Sequence, residues 1–523
     1  MKRTLLLGLV AGLALLGPPA IASIESIALP TVERAVTDIV PAPVEAKAAA
    51  EPFLLTPGTV ICADKESLEV AQYLQALLKP ATGYPLPVHS SAEERGGKAI
   101  ELFLIKDGKL GAEGYRLEVH PEGVRIRATT TDGLFSGVQS LRQLFPAAIE
   151  SKTVQTREWP VAGGTVVDFP RFGHRSAMLD VARHFFTPDQ VKLYIDQIAQ
   201  YKINTLHLHL TDDQGWRIEI KSWPKLATIG GQTAVGGDPG GYYTQEQYRD
   251  IVAYAASRHI DIVPEVDMPG HTNAAQHSYA ELNCDGVAVP PRTDIEVGYS
   301  SLCIGLPITY TFVEDVIREL SALTPGRYLH IGGDEAHSTK PEDYQAFQDK
   351  VQPLAAKYGK EFIGWHEIAK ATPPVTAVPQ FWGTNPTAPE VTAAAQRGNK
   401  ILMSPANRAY LDMKYNKDTP IGLSWAGLVE VQDSYGWDPS TAVTGVAENQ
   451  IAGVEAPLWS ETIRTSDNIE YLAFPRLPGI AEIGWSPRAS HDWTAYRDRL
   501  AKQGPRLTAQ GIDFYRSPQV DWK

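Results

Sequence analysis

Residues 328–337, YLHIGGDEAH, form an apolar run that stops at two glycines and then sets Asp334 beside Glu335. Side chains alternate faces along a strand and an unpaired buried charge is costly, so adjacent carboxylates belong to a strand's end rather than its middle. What that end serves depends on the pattern around it.

Working outward, short apolar runs alternate with helix-like segments over residues 166–523, the mark of parallel βα units. Eight runs qualify: SAMLDV, TLHLHL, IDIVPEV, RYLHIGG, EFIGW, VPQFW, KILMS and IAGVEAPLW. Segments such as PDQVKLYIDQIAQY and TQEQYRDIVAYAASR lie between them. Eight strands in this span predict an α/β fold built on a (β/α)8 TIM barrel. A doubly wound open sheet is the rival, but no GxGxxG follows a first strand to support it.

Such a barrel builds its active face from the carboxyl ends of its strands. The polar residues there form a consistent set. The first three runs lead to Asp180, Arg183 and His184, to Asp212, Asp213 and Gln214, and to Glu265, Asp267 and His271. The fourth ends in Asp334 and Glu335, the fifth in Trp365, His366 and Glu367, and the sixth in Trp382. The last two lead to Tyr410 and Asp412 and to Trp459 and Glu461.

Each residue alone has a structural explanation as a turn cap or a core aromatic. Their recurrence at strand ends does not, because loop tops gain no stability from so many polar groups, whereas a ligand pocket needs them. Trp365, Trp382 and Trp459 suit the apolar faces of sugar rings, and Arg183, Asp412 and Glu461 suit the hydroxyls. A phosphate ligand would favour glycine loops with cations, and here the glycines precede carboxylates that would repel it. No HExxH, CxxC or EF-hand spacing occurs, so neither a metal nor a cofactor is expected.

The rest of the chain sets the context. A net charge of -13 argues against nucleic acid as the natural partner. Residues 1–22 carry Lys2 and Arg3, a 12-residue apolar core and Ala20-Ile21-Ala22, the order of a secretory signal cleaved near Ala22. That core is well short of the roughly 20 residues that span a bilayer. The expectation is a secreted or periplasmic protein without a membrane span.

Residues 23–50, rich in Ala, Pro and Val, read as a linker or N-terminal arm. Residues 51–165 read as a small α+β domain with strands at TPGTVICAD, AIELFLI and YRLEVHPEGVRIRAT and two amphipathic helices. Of the three cysteines, Cys284 and Cys303 bracket a Gly-, Pro- and Asp-rich loop that a bridge would close. The alternative is three buried thiols.

HIGGDEAH, with MLDVARHF at 178–185, LHLTDDQGWR at 208–217, PEVDMPGH at 264–271 and APLWSE at 456–461, resembles glycoside hydrolase family 20, the β-N-acetylhexosaminidases. The resemblance spans roughly 165–490, and the preceding α+β segment is similar to that family's non-catalytic domain. It implies an exo-acting, retaining, substrate-assisted reaction on β-linked terminal GlcNAc or GalNAc, one of the exceptions to the two-carboxylate scheme.

By the resemblance, Glu335 is the general acid and base. Asp334 orients the substrate's 2-acetamido group and stabilises the oxazolinium ion, so Glu335 is expected neutral and Asp334 charged. Asp212 and His271 resemble supports of the acid/base. Arg183 looks like the clamp on the C3 and C4 hydroxyls, with Glu461 and Asp412 as further sugar contacts. Trp365, Trp382 and Trp459 look like the pocket walls, Tyr410 the acetamido-oxygen contact and Trp425 an aglycone platform. The resemblance also supports the Cys284–Cys303 bridge. Alternatives are a disaccharide-releasing lacto-N-biosidase and a non-catalytic carbohydrate-binding barrel.

Overall fold

The computed structural model describes residues 32–90 and 98–523, so the expected signal peptide at 1–22 lies outside the described residues. Eight parallel strands close into a barrel in chain order. They are β1 (His174–Asp180), β2 (Thr205–His209), β3 (Asp261–Glu265), β4 (Tyr328–His330), β5 (Glu361–Trp365), β6 (Val378–Phe381), β7 (Ile401–Met403) and β8 (Ile451–Ala456). Seven fall within one of the eight apolar runs, and β1 starts two residues ahead of SAMLDV. Pairing of β8 back onto β1, with Ser176 opposite Glu455, closes the ring.

Helices between the strands start where local chemistry dictates. Thr187 accepts a bond from the Gln190 amide while the Gln190 side chain takes the Thr187 amide, and Pro188 opens the helix Pro188–Ala199. Thr244 and Gln247 repeat the device ahead of Gln245–Ala256. Strand β2 shows how the barrel is filled. Its leucines, Leu206 and Leu208, join the apolar cluster, while His207 and His209 meet Glu265 of β3 from the inner face.

The small domain holds a 7-stranded sheet in the order Glu45–Ala48, Gly164–Asp168, Tyr115–His120, Gly123–Ala128, Ala99–Leu104, Val60–Ala63 and Val88–His89. Tyr115, Leu117 and Val119 are buried, whereas Arg116, Glu118 and His120 face outward. The helices Leu68–Thr82 and Thr131–Leu144 cover the buried face.

Residues 32–50 depart from the expected linker. Val36, Ile39 and Val40 are fully buried, and Glu45–Ala48 pairs with Gly164–Asp168 as an edge strand. Backbone chemistry holds the segment in the seam between the small domain and the barrel. The Val40 amide donates to the Gln143 side chain at 2.9 Å on one side, and the Ala42 amide donates to Glu482 at 2.9 Å on the other. Apolar side chains without a helical or strand period can still be core when a seam supplies polar partners for the backbone.

Candidate active site

Strand β4 leads into Gly332 and Gly333, both with positive φ (62° and 99°). A Cβ on Gly332 would lie 1.8 Å from Asp267 Oδ1, so only glycine lets that carboxylate slide under the turn and accept the Gly333 amide at 2.9 Å. Glu335 and His271 are themselves in the left-handed region, at φ 46° and 54°. For non-glycine residues this costs about 1–3 kcal/mol each and is met at functional sites. The turn abolishes strand alternation: Asp334 and Glu335 both aim at His271 Nε2, at 3.6 and 3.3 Å.

From His271 a buried network runs inward. Its Nδ1 lies 3.1 Å from Asp212 Oδ1, and Asp212 Oδ2 receives Arg183 at 2.9 Å and His209 Nε2 at 2.8 Å. Burial works against the Asp212 charge, but Arg183 and His271 outweigh it and hold the carboxyl well below its usual range. Asp212, with Asp334 and Glu335, likewise lifts His271 well above the usual imidazole range despite its burial. Arg183 remains charged because Asp212, Asp180 and Glu461 offset its desolvation.

Asp334 differs from expectation. Burial and the neighbouring Asp267 push it well above the usual carboxylate range, and Asp267 is itself pushed up to about 8, chiefly by burial. Two like charges in a dry site oppose each other's ionisation, so Asp334 is not simply charged.

The aromatic side of the pocket is equally connected. Trp459 lies 5.5 Å from Trp365 and 6.2 Å from Tyr410, centroid to centroid, and the Arg183 guanidinium sits 4.9 Å over its ring. Trp425, 55% exposed, stands edge-on to both Trp382 and Tyr410 at 5.9 Å. Asp412 is buried with neither carboxylate oxygen bonded to protein, and Arg183 Nε and Glu461 Oε2 also lack protein partners. The residues read from the sequence thus lie in one connected cluster at the strand ends, from Glu335 and Asp334 through His271, Asp212 and Arg183 to the aromatic side chains.

Cys284 and Cys303 are bridged, and the loop they close reaches the site. Ser300 donates to Asp213 at 2.6 Å, and Asp213 lies 3.7 Å from His271.

Sequence reading assigned no role to Asp267, His209 or Glu265. Asp267 stood as a turn cap, and the signal that could have raised it is its place in PEVDMPGH, three residues before Gly270-His271. Three triplets, His207/Glu265/His330, Asp212/Asp213/His271 and Asp267/His271/Asp334, bring ligand atoms within the 4.8 Å that a metal ion could bridge. The His207–Glu265 distance of 2.9 Å and the His271–Asp212 distance of 3.1 Å are those of hydrogen bonds, and Asp267 is pushed up to about 8, chiefly by burial.

A TIM barrel whose mouth joins an aromatic box to consecutive carboxylates defines a glycoside hydrolase. The chain belongs to glycosyl hydrolase family 20: residues 172–488 match the family's catalytic domain and residues 36–169 its domain 2. A β-N-acetylhexosaminidase of Cellulomonas fimi is 40% identical over 473 residues, 90% of this chain and 94% of the relative. The β-N-acetylhexosaminidase of Streptomyces coelicolor A3(2) superposes with a TM-score of 0.91 at 55% identity, over 94% of this chain and 99% of that one. A Streptomyces plicatus β-hexosaminidase variant in complex with its product GlcNAc gives a TM-score of 0.92 at 56% identity, over 95% and 99% of the two chains.

Proposed function

We propose that the protein is an exo-acting, retaining β-N-acetylhexosaminidase that releases terminal non-reducing GlcNAc or GalNAc. The observation that carries this is the convergence of Asp334 and Glu335 on one imidazole nitrogen, at 3.6 and 3.3 Å. Two carboxyls so close match the glycosidic oxygen on C1 and the acetamido nitrogen on C2, substituents of neighbouring ring carbons.

Glu335 gives its proton to the glycosidic oxygen as the C1–O bond breaks. The acetamido carbonyl oxygen attacks C1, forming a bicyclic oxazolinium ion. Asp334 accepts the acetamido N–H and faces the positive charge that develops there. Water then attacks C1, Glu335 takes its proton, and the ring opens with retained configuration. The acetamido N–H and the developing positive charge favour the ionised form of Asp334, against the burial and the neighbouring Asp267 that oppose it. The unpartnered atoms of Arg183, Asp412 and Glu461 give sugar hydroxyls their partners and support action at a chain end.

The decisive experiment assays para-nitrophenyl GlcNAc and GalNAc glycosides and chitobiose with wild type and Glu335→Gln. Wild type is expected to release the monosaccharide, and a thiazoline mimic of the oxazolinium ion to inhibit it tightly. Undiminished chitobiose cleavage by Glu335→Gln would refute the reading. Chitooligosaccharides as substrate and export to the periplasm or medium belong to the same proposal. The leader-like residues 1–22 support export, and mass determination of the mature N-terminus tests it.

A further inference from the structure

Beneath the pocket lies a second layer of charge that the reaction itself does not use. Glu265, at the end of β3, is fully buried. Its Oε1 accepts the Trp365 indole N–H at 2.8 Å and lies 3.0 Å from His330 Nδ1. Its Oε2 lies 2.9 Å from His207 Nε2 and also takes His209 Nδ1. Four side chains from three other strands thus close on one carboxylate.

Each partner touches a different part of the site. Trp365 walls the sugar pocket, packing 5.5 Å from Trp459. His209 passes from Glu265 to Asp212 at 2.8 Å, and Asp212 holds His271. His330, packed against Glu265, accepts the Gly332 amide N–H at Nδ1, 3.1 Å away, in the turn that carries Asp334 and Glu335. His207 turns away from the pocket to Glu455, which is held by Gln380 at 2.6 Å and Ser176 at 2.7 Å.

We propose that Glu265 is the positioning residue of this active site: a single buried carboxylate that holds the pocket wall, the acid/base support and the carboxylate turn at fixed distances from one another. The proposal deepens the hexosaminidase reading and rests on it. A carboxylate in a dry interior is costly unless its lone pairs are filled, and an aliphatic side chain of similar volume would fill the space without that cost. It would also leave the Trp365, His207 and His209 donors unmatched. What only the carboxylate achieves is to fix three otherwise independent groups through one rigid acceptor.

The charge pattern agrees. His207 and His209 are lifted to about 9 and about 10; burial opposes this, but the carboxylates at both ring nitrogens outweigh it, chiefly Glu455 for His207 and Glu265 for His209. Glu265 is held well below its usual range by His209, His330 and His207 despite complete burial. Signs therefore alternate from Glu455 through His207, Glu265, His209 and Asp212 to His271.

Two variants test this in the full-length protein. Glu265→Gln keeps the shape but loses one acceptor and the charge that does most to raise His209. Its kcat/KM on chitobiose should fall roughly 10–100-fold, the range seen when supporting partners of a site are altered. The acidic limb of its pH profile should move upward, since a less basic His209 does less to hold Asp212 down.

His209→Gln breaks the link between Glu265 and Asp212 and leaves the contacts of Glu265 with Trp365, His207 and His330 in place. Chitobiose cleavage, which needs a proton on the leaving group, should suffer more than cleavage of the para-nitrophenyl glycoside, while thiazoline affinity is kept. Folded variants with both activities within twofold of wild type and an unshifted pH profile would overturn the proposal and leave the hexosaminidase reading intact. Failure of both variants to fold would overturn it too, because the carboxylate would then serve the barrel rather than the site. Lack of hexosaminidase activity in wild type would instead remove the reading beneath it.

Discussion

The barrel mouth and the seam between the domains both bury charge and treat it in opposite ways. At the seam the buried carboxylates Glu150 and Asp168 have protein partners on both oxygens. Glu150 takes Arg142 at 2.9 and 2.5 Å as well as Arg506. Asp168 takes the Tyr115 hydroxyl at 2.8 Å and the Val44 amide at 3.0 Å, beside Lys202. At the mouth Asp334 Oδ1, Asp267 Oδ2, both oxygens of Asp412 and Glu461 Oε2 have none.

The acid constants follow suit. Arg142 and Arg506, overcoming burial, hold Glu150 at about 2, while burial and like neighbours push Asp334 and Asp412 up. A fully matched buried carboxylate is structure. An unmatched one persists at a cost in stability only where a ligand completes it.

The contrast makes predictions that could break it. The largest effect belongs to the mouth: Glu335→Gln should lower kcat on chitobiose by about 10²–10⁴-fold, as loss of a general acid does, with little change in melting temperature. Asp334→Asn should cost about 10²–10³-fold in kcat, the scale of one lost electrostatic partner of the transition state. The same variant should melt no lower than wild type, because it removes a charge that burial and Asp267 already oppose. A clear drop in its melting temperature would mean that the mouth is built like the seam.

At the seam the signs reverse. Glu150→Gln leaves two buried arginines short of an acceptor and should lose about 3–5 kcal/mol of stability in denaturant titrations, with kcat/KM of the folded fraction unchanged.

Titration should sharpen the comparison. Glu150 lies below its usual 4.5, so its stabilisation is complete above that value and lost as pH falls towards about 2. His209 lies above its usual 6.5, so its contribution is complete below that value and lost as pH rises through about 10. Melting temperature against pH should therefore fall on both sides of a plateau, with Glu150→Gln flattening the acid side and His209→Gln the alkaline side. The smallest effect is expected for Trp425→Ala. An aromatic 55% exposed at the rim should change KM for chitooligosaccharides a few-fold and leave the para-nitrophenyl substrate nearly untouched.

Much of this was readable before folding. The eight barrel strands announced themselves as apolar runs, and the pocket residues as the polar groups that follow them. The deeper layer was hidden. In TLHLHL the histidines look like the wet side of a half-buried strand, and only barrel closure turns His207 and His209 inward against Glu265. Val36 to Ala42 read as a linker because the side chains of Gln143 and Glu482, distant in sequence, satisfy their backbone.

The order of apolar runs and strand-end polar residues in this chain determined the barrel, the pocket and the adjacent carboxylates, because side-chain period and turn chemistry are local. Which of those carboxylates holds a proton, and which buried acid ties the site together, was decided by the tertiary structure alone. Desolvation and through-space charge depend on neighbours that the chain brings together only when it folds.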